Sequence, residues 1–226
     1  MQACMHDDSV RAMPIPETSS GERAYLETKS RILTGEMRGG QLLSEVEVAA
    51  QLGVSRTPVH EAFLRLAAED LLDLLPRRGA VVVPVPPREA TDLLEMRVAI
   101  EASAVRRLCR SPQPLDSLFD ELTELVERQR RGADAGDVGQ FAAADDAFHR
   151  RIVEVAGNAI AQRFYGSLGD RQRRMMADAV RADSTRVTLL ISEHGALVDA
   201  IGRRDPEAFE TTLLSHLEAT YRVVLA

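Results

Sequence analysis

The sequence predicts a mainly α protein in two parts: a small N-terminal helical unit with a β-wing, and a larger all-helical bundle. Three observations carry this prediction. Apolar residues recur at helical spacing over most of the chain, as in Leu115, Leu118, Phe119, Leu122, Leu125 and Val126. Only two short runs, Leu71 to Leu75 and Ala80 to Val85, read as β, and they flank Pro76-Arg77-Arg78-Gly79. Pro84, Pro86 and Pro87 then interrupt the pattern and mark a linker. Aromatics make up only 4% of the chain and Trp is absent, so its core must be built from Leu, Ala and Val, as helix-rich proteins are.

Taken in order, residues 1–21 are polar, contain Pro14 and Pro16, and are expected to form a disordered tail. A first helix is expected from Glu22 to Met37, burying Ala24, Ile32 and Leu33 and ended by Gly39-Gly40. Ser44 and Glu47 have the S-x-x-E spacing of a capping box at the head of a second helix. Gly53 breaks that helix, and Ser55 is placed to cap a third, with Pro58 in its first turn. Two helices across a tight turn, followed by a hairpin, make a winged helix-turn-helix over 22–86, an element that sets one helix in the major groove of DNA. From Arg88 onward about six helical segments and no strand are expected. Gly132 to Gly136 reads as a loop, Asp137 and Gln140 as cap positions, Gly157-Asn158 as a break, and Asp205-Pro206 as the start of the last helix. Residues 87–226 form the bundle.

The net charge of −7 at first argues against nucleic acid. Residues 1–21 contribute −2 and residues 89–226 contribute −5, so 22–88, with nine basic and nine acidic groups, is neutral. Affinity for DNA must therefore come from a local patch, with a dimer doubling the phosphate contacts. Cys4 and Cys109 are isolated and no apolar stretch reaches the length of a membrane span, so a soluble, cytoplasmic protein is expected.

One constellation in the bundle does not look like ordinary core. Asp145 and His149 share a helix face at i, i+4 with Phe141, Ala144, Phe148 and Ile152. His194 lies among Leu190, Leu197, Val198 and Ile201, and His216 among Phe209, Leu213, Leu217 and Val224. A buried carboxylate needs a partner to offset its desolvation. Either a divalent metal or a hydrogen-bonded Asp–His network meets that need. Imidazole with carboxylate suits Zn, Ni or Mn alike, and a small organic carboxylate could fill the remaining coordination positions. Arg97 is a candidate to pair with such an anion; a salt bridge to Glu101, four residues on, is the competing role.

With these residues the chain resembles the GntR family of bacterial transcription factors, in its FadR-like subfamily with an FCD sensor domain. The N-terminal resemblance rests on Leu43-Ser44-Glu45, Leu52-Gly-Val-Ser-Arg-Thr-Pro-Val59, then Ala62, Leu64, Arg65 and Leu66, and finally Arg78-Gly79. The C-terminal one rests on Asp145-x-x-Phe148-His149, Ala156-Gly157-Asn158, Glu193-His194 and His216-Leu217. The resemblance implies that Arg56 and Thr57 contact bases and phosphate, that Ser55 contacts phosphate while capping, and that Gly79, beside Arg78, approaches the minor groove. It implies that Asp145, His149, His194 and His216 hold a divalent metal, and that Arg97 binds an effector's carboxylate. A homodimer on a short palindromic operator and a sugar-acid or other organic-acid effector belong to the same implication. Two positions depart from the family pattern. His60 stands where Arg is usual, and Val46 where a basic residue is common, so two phosphate contacts are weakened.

A DNA-binding regulator, more readily a repressor, is therefore the expected function. A metal-dependent hydrolase or lyase is the alternative from another class, and it leaves the DNA module without a purpose. A metal that only stabilises the bundle is the third possibility.

Overall fold

The computed structural model describes residues 19–225. The N-terminal unit comprises α1 (Ser20–Leu33), β1 (Leu42–Leu43), α2 (Glu45–Leu52), α3 (Arg56–Ala68), β2 (Leu72–Leu75) and β3 (Gly79–Val82). The bundle comprises α4 (Pro87–Arg110), α5 (Asp116–Asp134), α6 (Val138–Val155), α7 (Ala159–Gly166), α8 (Gly169–Ala182), α9 (Val187–Gly202) and α10 (Pro206–Leu225), with a 3-10 turn at Ser184–Arg186. Among the described residues no helix is long and apolar enough to cross a membrane.

Each part has its own core. In the first, Ala24, Ile32, Val48, Val59, Phe63, Leu66 and Val82 pack α1, α2 and α3 onto the inner face of the sheet. The strands run antiparallel in the order β1-β3-β2, with Leu42 opposite Val81 and Leu75 opposite Gly79. In the second, Leu122, Phe141, Phe148, Ile152, Leu197, Phe209 and Leu213 draw on α5, α6, α9 and α10.

Several expectations need correcting. Residues 1–18 of the expected disordered tail lie outside the described residues, but Ser19 caps α1 through Glu22 N–H at 3.1 Å, so helical order begins before 22. That helix stops at Leu33 rather than Met37, because Met37 N–H turns back to Arg31 O at 2.9 Å. The sheet has a third strand, β1, too short for a periodic signal. Ser44 caps α2 as expected, whereas Ser55 sits at the N-cap of α3 without a side-chain capping hydrogen bond. The expected loop at 132–136 is helical as far as Asp134. Gly132 is there because α6 passes over it: a Cβ would lie 2.9 Å from Phe141 N. The bundle has seven α-helices among the described residues, one more than expected, since Ser167-Leu168 separates α7 from α8.

Helix α8 joins the two parts. Asp170 meets Lys29 of α1 at 2.7 Å, and Arg181 Nε donates to Thr34 O at 2.8 Å. Arg174 donates to Val83 O, and Arg171 pairs with Glu89 at the head of α4. Its other face buries Met175, Met176 and Val180 in the bundle.

Candidate functional site

In the N-terminal unit, the turn from Gly53 to Ser55 places the start of α3 beside the wing. Arg56, Thr57 and His60 face a groove of about 800 Å³ whose far wall is Arg77, Arg78 and Gly79. Arg56 and His60 are 67% and 55% exposed, while Val59 and Phe63, one helix face away, are buried. Ser55 is exposed as well. The wing can close so tightly because Gly79 has φ +105 and lies against β1, where a Cβ would stand 2.0 Å from Leu43 O. Glu45, the first residue of α2, reaches into the groove. Its Oε2 accepts from Arg56 Nη2 at 2.8 Å and its Oε1 from His60 Nδ1 at 2.8 Å. Those two bonds, Arg56 first, hold the Glu45 carboxyl below its ordinary value.

In the bundle, α6 presents Asp145 and His149, α9 presents His194 and α10 presents His216. All four side chains are at most 1% exposed, and one donor atom from each lies within 4.8 Å of the others. His149 Nε2 and His194 Nε2 are 3.1 Å apart, and His194 Nε2 is 3.3 Å from Asp145 Oδ1. Two imidazole nitrogens on one zinc ion at about 2.1 Å would be separated by roughly 3.0–3.4 Å. Asp145 Oδ1 and His216 Nε2 have no hydrogen-bond partner although both are buried. A purely hydrogen-bonded network would satisfy these atoms; a cation between them would as well.

Burial holds all three imidazoles below their ordinary pKa, so each is neutral and has a lone pair to offer. Burial alone would raise Asp145, but His194, His149 and Arg97 outweigh it and keep the carboxylate ionised. Neutral imidazoles with one carboxylate are the protonation states in which these groups ligate.

Around this cluster stand residues to which sequence reasoning assigns no role at the cluster: Glu193 appears only within the Glu193-His194 motif, Glu101 only as a partner for Arg97, and Tyr165 not at all. Glu101 of α4 accepts from His149 Nδ1 at 2.7 Å and from Tyr165 of α7 at 2.6 Å. Glu193 accepts from His216 Nδ1 at 2.8 Å. A carboxylate on Nδ1–H fixes the tautomer and turns Nε2 toward the cluster. Burial opposes the ionised form of Glu101, yet His149 and Arg97 bring its pKa down to about 2. Arg97 itself is 2% exposed and donates through Nε to Glu101 Oε1 at 3.0 Å. The i, i+4 salt bridge weighed against effector binding is thus formed. The spacing of Arg97 and Glu101 was visible, but the arrival of His149 and Tyr165 at the same carboxylate depends on how α4, α6 and α7 pack.

Comparison with known proteins bears on both sites. Residues 20–82 match the bacterial regulatory protein gntR family, and residues 92–219, more than half of the chain, match the FCD domain. The chain belongs to the GntR family. One relative from Paenarthrobacter nicotinovorans, named "Probable D-xylose utilization operon transcriptional repressor", is 33% identical over 190 residues, covering 83% of this chain and 81% of that protein. The gluconate operon transcriptional repressor of Bacillus subtilis is 26% identical over 198 residues, 84% of this chain and 79% of that protein. A GntR regulator from Rhodococcus sp. RHA1 has the same fold, with a TM-score of 0.74 at 23% identity over 91% of this chain and 98% of that one. As a GntR protein with an FCD domain, the chain is a transcriptional regulator and not an enzyme. GntR regulators bind DNA, and the helix-turn-helix described above is the part that matches them.

Proposed function

We propose that this regulator binds double-stranded DNA as a homodimer in the cytoplasm and represses until a small carboxylate reaches a metal in its bundle. In this reading Arg56 and Thr57 contact bases and phosphate, Ser55, His60 and Arg78 contact phosphate, and Gly79 follows the minor groove on a short palindromic operator. The gathering of Arg56, Thr57, His60, Arg78 and Gly79 along one groove supports it. Asp145, His149, His194 and His216 would hold Zn, Ni or Mn. The observation that carries this half is the convergence of four buried donor atoms within 4.8 Å, with His216 Nε2 left without a hydrogen-bond partner. The bound cation would supply a positive centre for the effector's carboxylate.

Arg97 is the second grip proposed for that carboxylate. It now rests on Glu101, so the effector's anion would exchange one carboxylate partner for another. The relative named for a gluconate operon favours a sugar acid. Metal analysis of the untagged protein, followed by thermal shift with gluconate on metal-loaded and chelated samples, tests the proposal. About one divalent ion per chain and a shift only in the loaded sample are expected. A metal that only supports the fold would give the ion without a metal-dependent gluconate shift. No bound ion, with full stability in chelator, would remove the metal assignment.

A further inference from the structure

The DNA-reading groove holds a residue whose role neither the resemblance nor the family match supplies. Among the residues lining that groove, Glu45 is the one carboxylate, set against Arg56, Arg77 and Arg78. It spends both oxygens on the recognition helix, one on Arg56 and one on His60, each at 2.8 Å. Glu45 is only 17% exposed, anchored at the first turn of α2, where the helix dipole favours its charge. Arg56 and His60 are the more exposed side chains, on freer arms in water. The carboxylate is therefore the fixed partner, and Arg56 and His60 are the ones that can leave.

We propose that Glu45 is a specificity-determining residue, an internal counter-ion that Arg56 and His60 leave only for a duplex offering better acceptors. The inference rests on the proposed reading of DNA by Arg56. A lone phosphate oxygen replaces one charged acceptor with another and gains little. The O6/N7 edge of a guanine in register offers Arg56 a bidentate pair and tips the exchange. Glu45 thus weakens sequence-independent binding more than it weakens operator binding. In a unit with nine basic and nine acidic groups over 22–88, one carboxylate inside the groove is a large share of the local potential. The two departures from the family pattern act in the same direction: Val46 adds no cation beside Glu45, and His60 stands where a permanently charged Arg is usual.

Full-length wild type, Glu45→Gln and Glu47→Gln decide the matter. Glu47 is an exposed acid in the same helical turn, outside the groove, and its change removes the same formal charge. Wild type and Glu45→Gln each first select duplexes from a randomised library, and each protein is then titrated by anisotropy with the best duplex selected by wild type and with a scrambled one. Unchanged melting temperatures show that the variants are folded. Glu45→Gln is expected to bind the scrambled duplex roughly 3- to 10-fold tighter, with a steeper salt dependence. Its preference for the selected duplex should fall about tenfold, the scale of one bidentate contact. Glu47→Gln should leave that preference unchanged. An unaltered preference in Glu45→Gln overturns the proposal, as does the same shift in Glu47→Gln, which would mean net charge alone. A changed consensus at one base pair with unchanged scrambled affinity also overturns it, since Glu45 would then read a base itself. If wild type enriches no sequence, the DNA-reading assignment falls, and this inference with it.

Discussion

Glu45 holds Arg56 and His60 at the rim of a groove, with both of these side chains more than half exposed. Asp145, His149, His194 and His216 crowd within 4.8 Å of one another inside the bundle, none of them more than 1% exposed. The two groups draw on similar chemistry, carboxylate against nitrogen, but in different solvents. At the rim, water and salt screen the pairs, so each is worth about 0–1 kcal/mol and exchanges readily for phosphate or base. In the bundle, unpartnered polar atoms cost about 1–3 kcal/mol each unless something fills the space between them. Partners at the rim can be exchanged at small cost to the fold, whereas a cation at the bundle site, as proposed, would add to the stability of the fold.

Removing a filling cation therefore tests the contrast most strongly. With metal at about 1,000 times its dissociation constant, linkage contributes about 4 kcal/mol. For a chain of this size that corresponds to roughly 8–16 °C in melting temperature. We expect a chelator to produce a drop of that order by calorimetry, and Asp145→Ala to produce most of it without chelator. Equal melting curves with and without chelator, in protein shown to have carried an ion, would erase the distinction between the two regions.

Arg56→Ala should show the reverse pattern. Loss of a base-contacting arginine costs about 1–3 kcal/mol of operator binding, roughly 10- to 100-fold. Its side chain is 67% exposed and packs little, so the melting temperature should hold within a degree or two of wild type. A large fall in stability would place Arg56 in the fold rather than on the reading surface.

The contrast also explains what could be read from the sequence. Asp145 and His149 at i, i+4, and His194 and His216 on apolar stripes, were legible because helical periodicity alone turns them inward. The place of Arg56, Thr57 and His60 at the head of α3 was legible from the turn that precedes them, while their contacts to DNA were implied only by the family resemblance. Glu101 and Tyr165 were not, because their inward role arises only where three helices converge on one carboxylate. Glu45 escaped for a related reason: it lies 11 residues from Arg56 and 15 from His60, a contact set by the α2–α3 turn and not by any periodicity. Gly132 looked like a loop because its reason for being glycine, the backbone of α6, is distant in sequence.

Acid should separate the regions next. Burial lowers the pKa of His149, His194 and His216, so the unfolded chain binds protons that the folded one refuses. For bases shifted this way, stability is fully present above the unfolded value of about 6.5 and is lost as pH falls below it. The melting temperature of chelated protein should therefore decline from pH 7.5 toward 5.5, and His194→Asn should flatten that decline. Glu101, with its pKa brought down to about 2, adds a loss in the same direction only at lower pH, below its unfolded value near 4.3. A flat profile in chelated wild type would mean that the imidazoles are not sequestered as the cluster requires.

The smallest expected effect lies between the regions, at Lys29. The chain's single lysine sits where the two parts meet, with Nζ 2.6 Å from Glu69 of the DNA-binding unit and 2.7 Å from Asp170 of α8. Its side chain is 20% exposed and those of its partners about a third, which places the network between the rim and the buried cluster in character. Burial works against the ammonium, but Asp170 and Glu69 overcome this and raise its pKa. A partly screened pair of this kind is worth about 1 kcal/mol or less. Lys29→Ala should lower the melting temperature by about 2–4 °C, and high salt should remove most of the difference. Because Asp170 belongs to the helix that buries Met175 and Met176 in the bundle, this pair ties the N-terminal unit to the bundle. A double-mutant cycle with Asp170→Ala should give a coupling of about 1 kcal/mol or less at low salt, falling toward zero as salt rises. Strict additivity at low salt would mean that the two parts meet at this point without being joined by it.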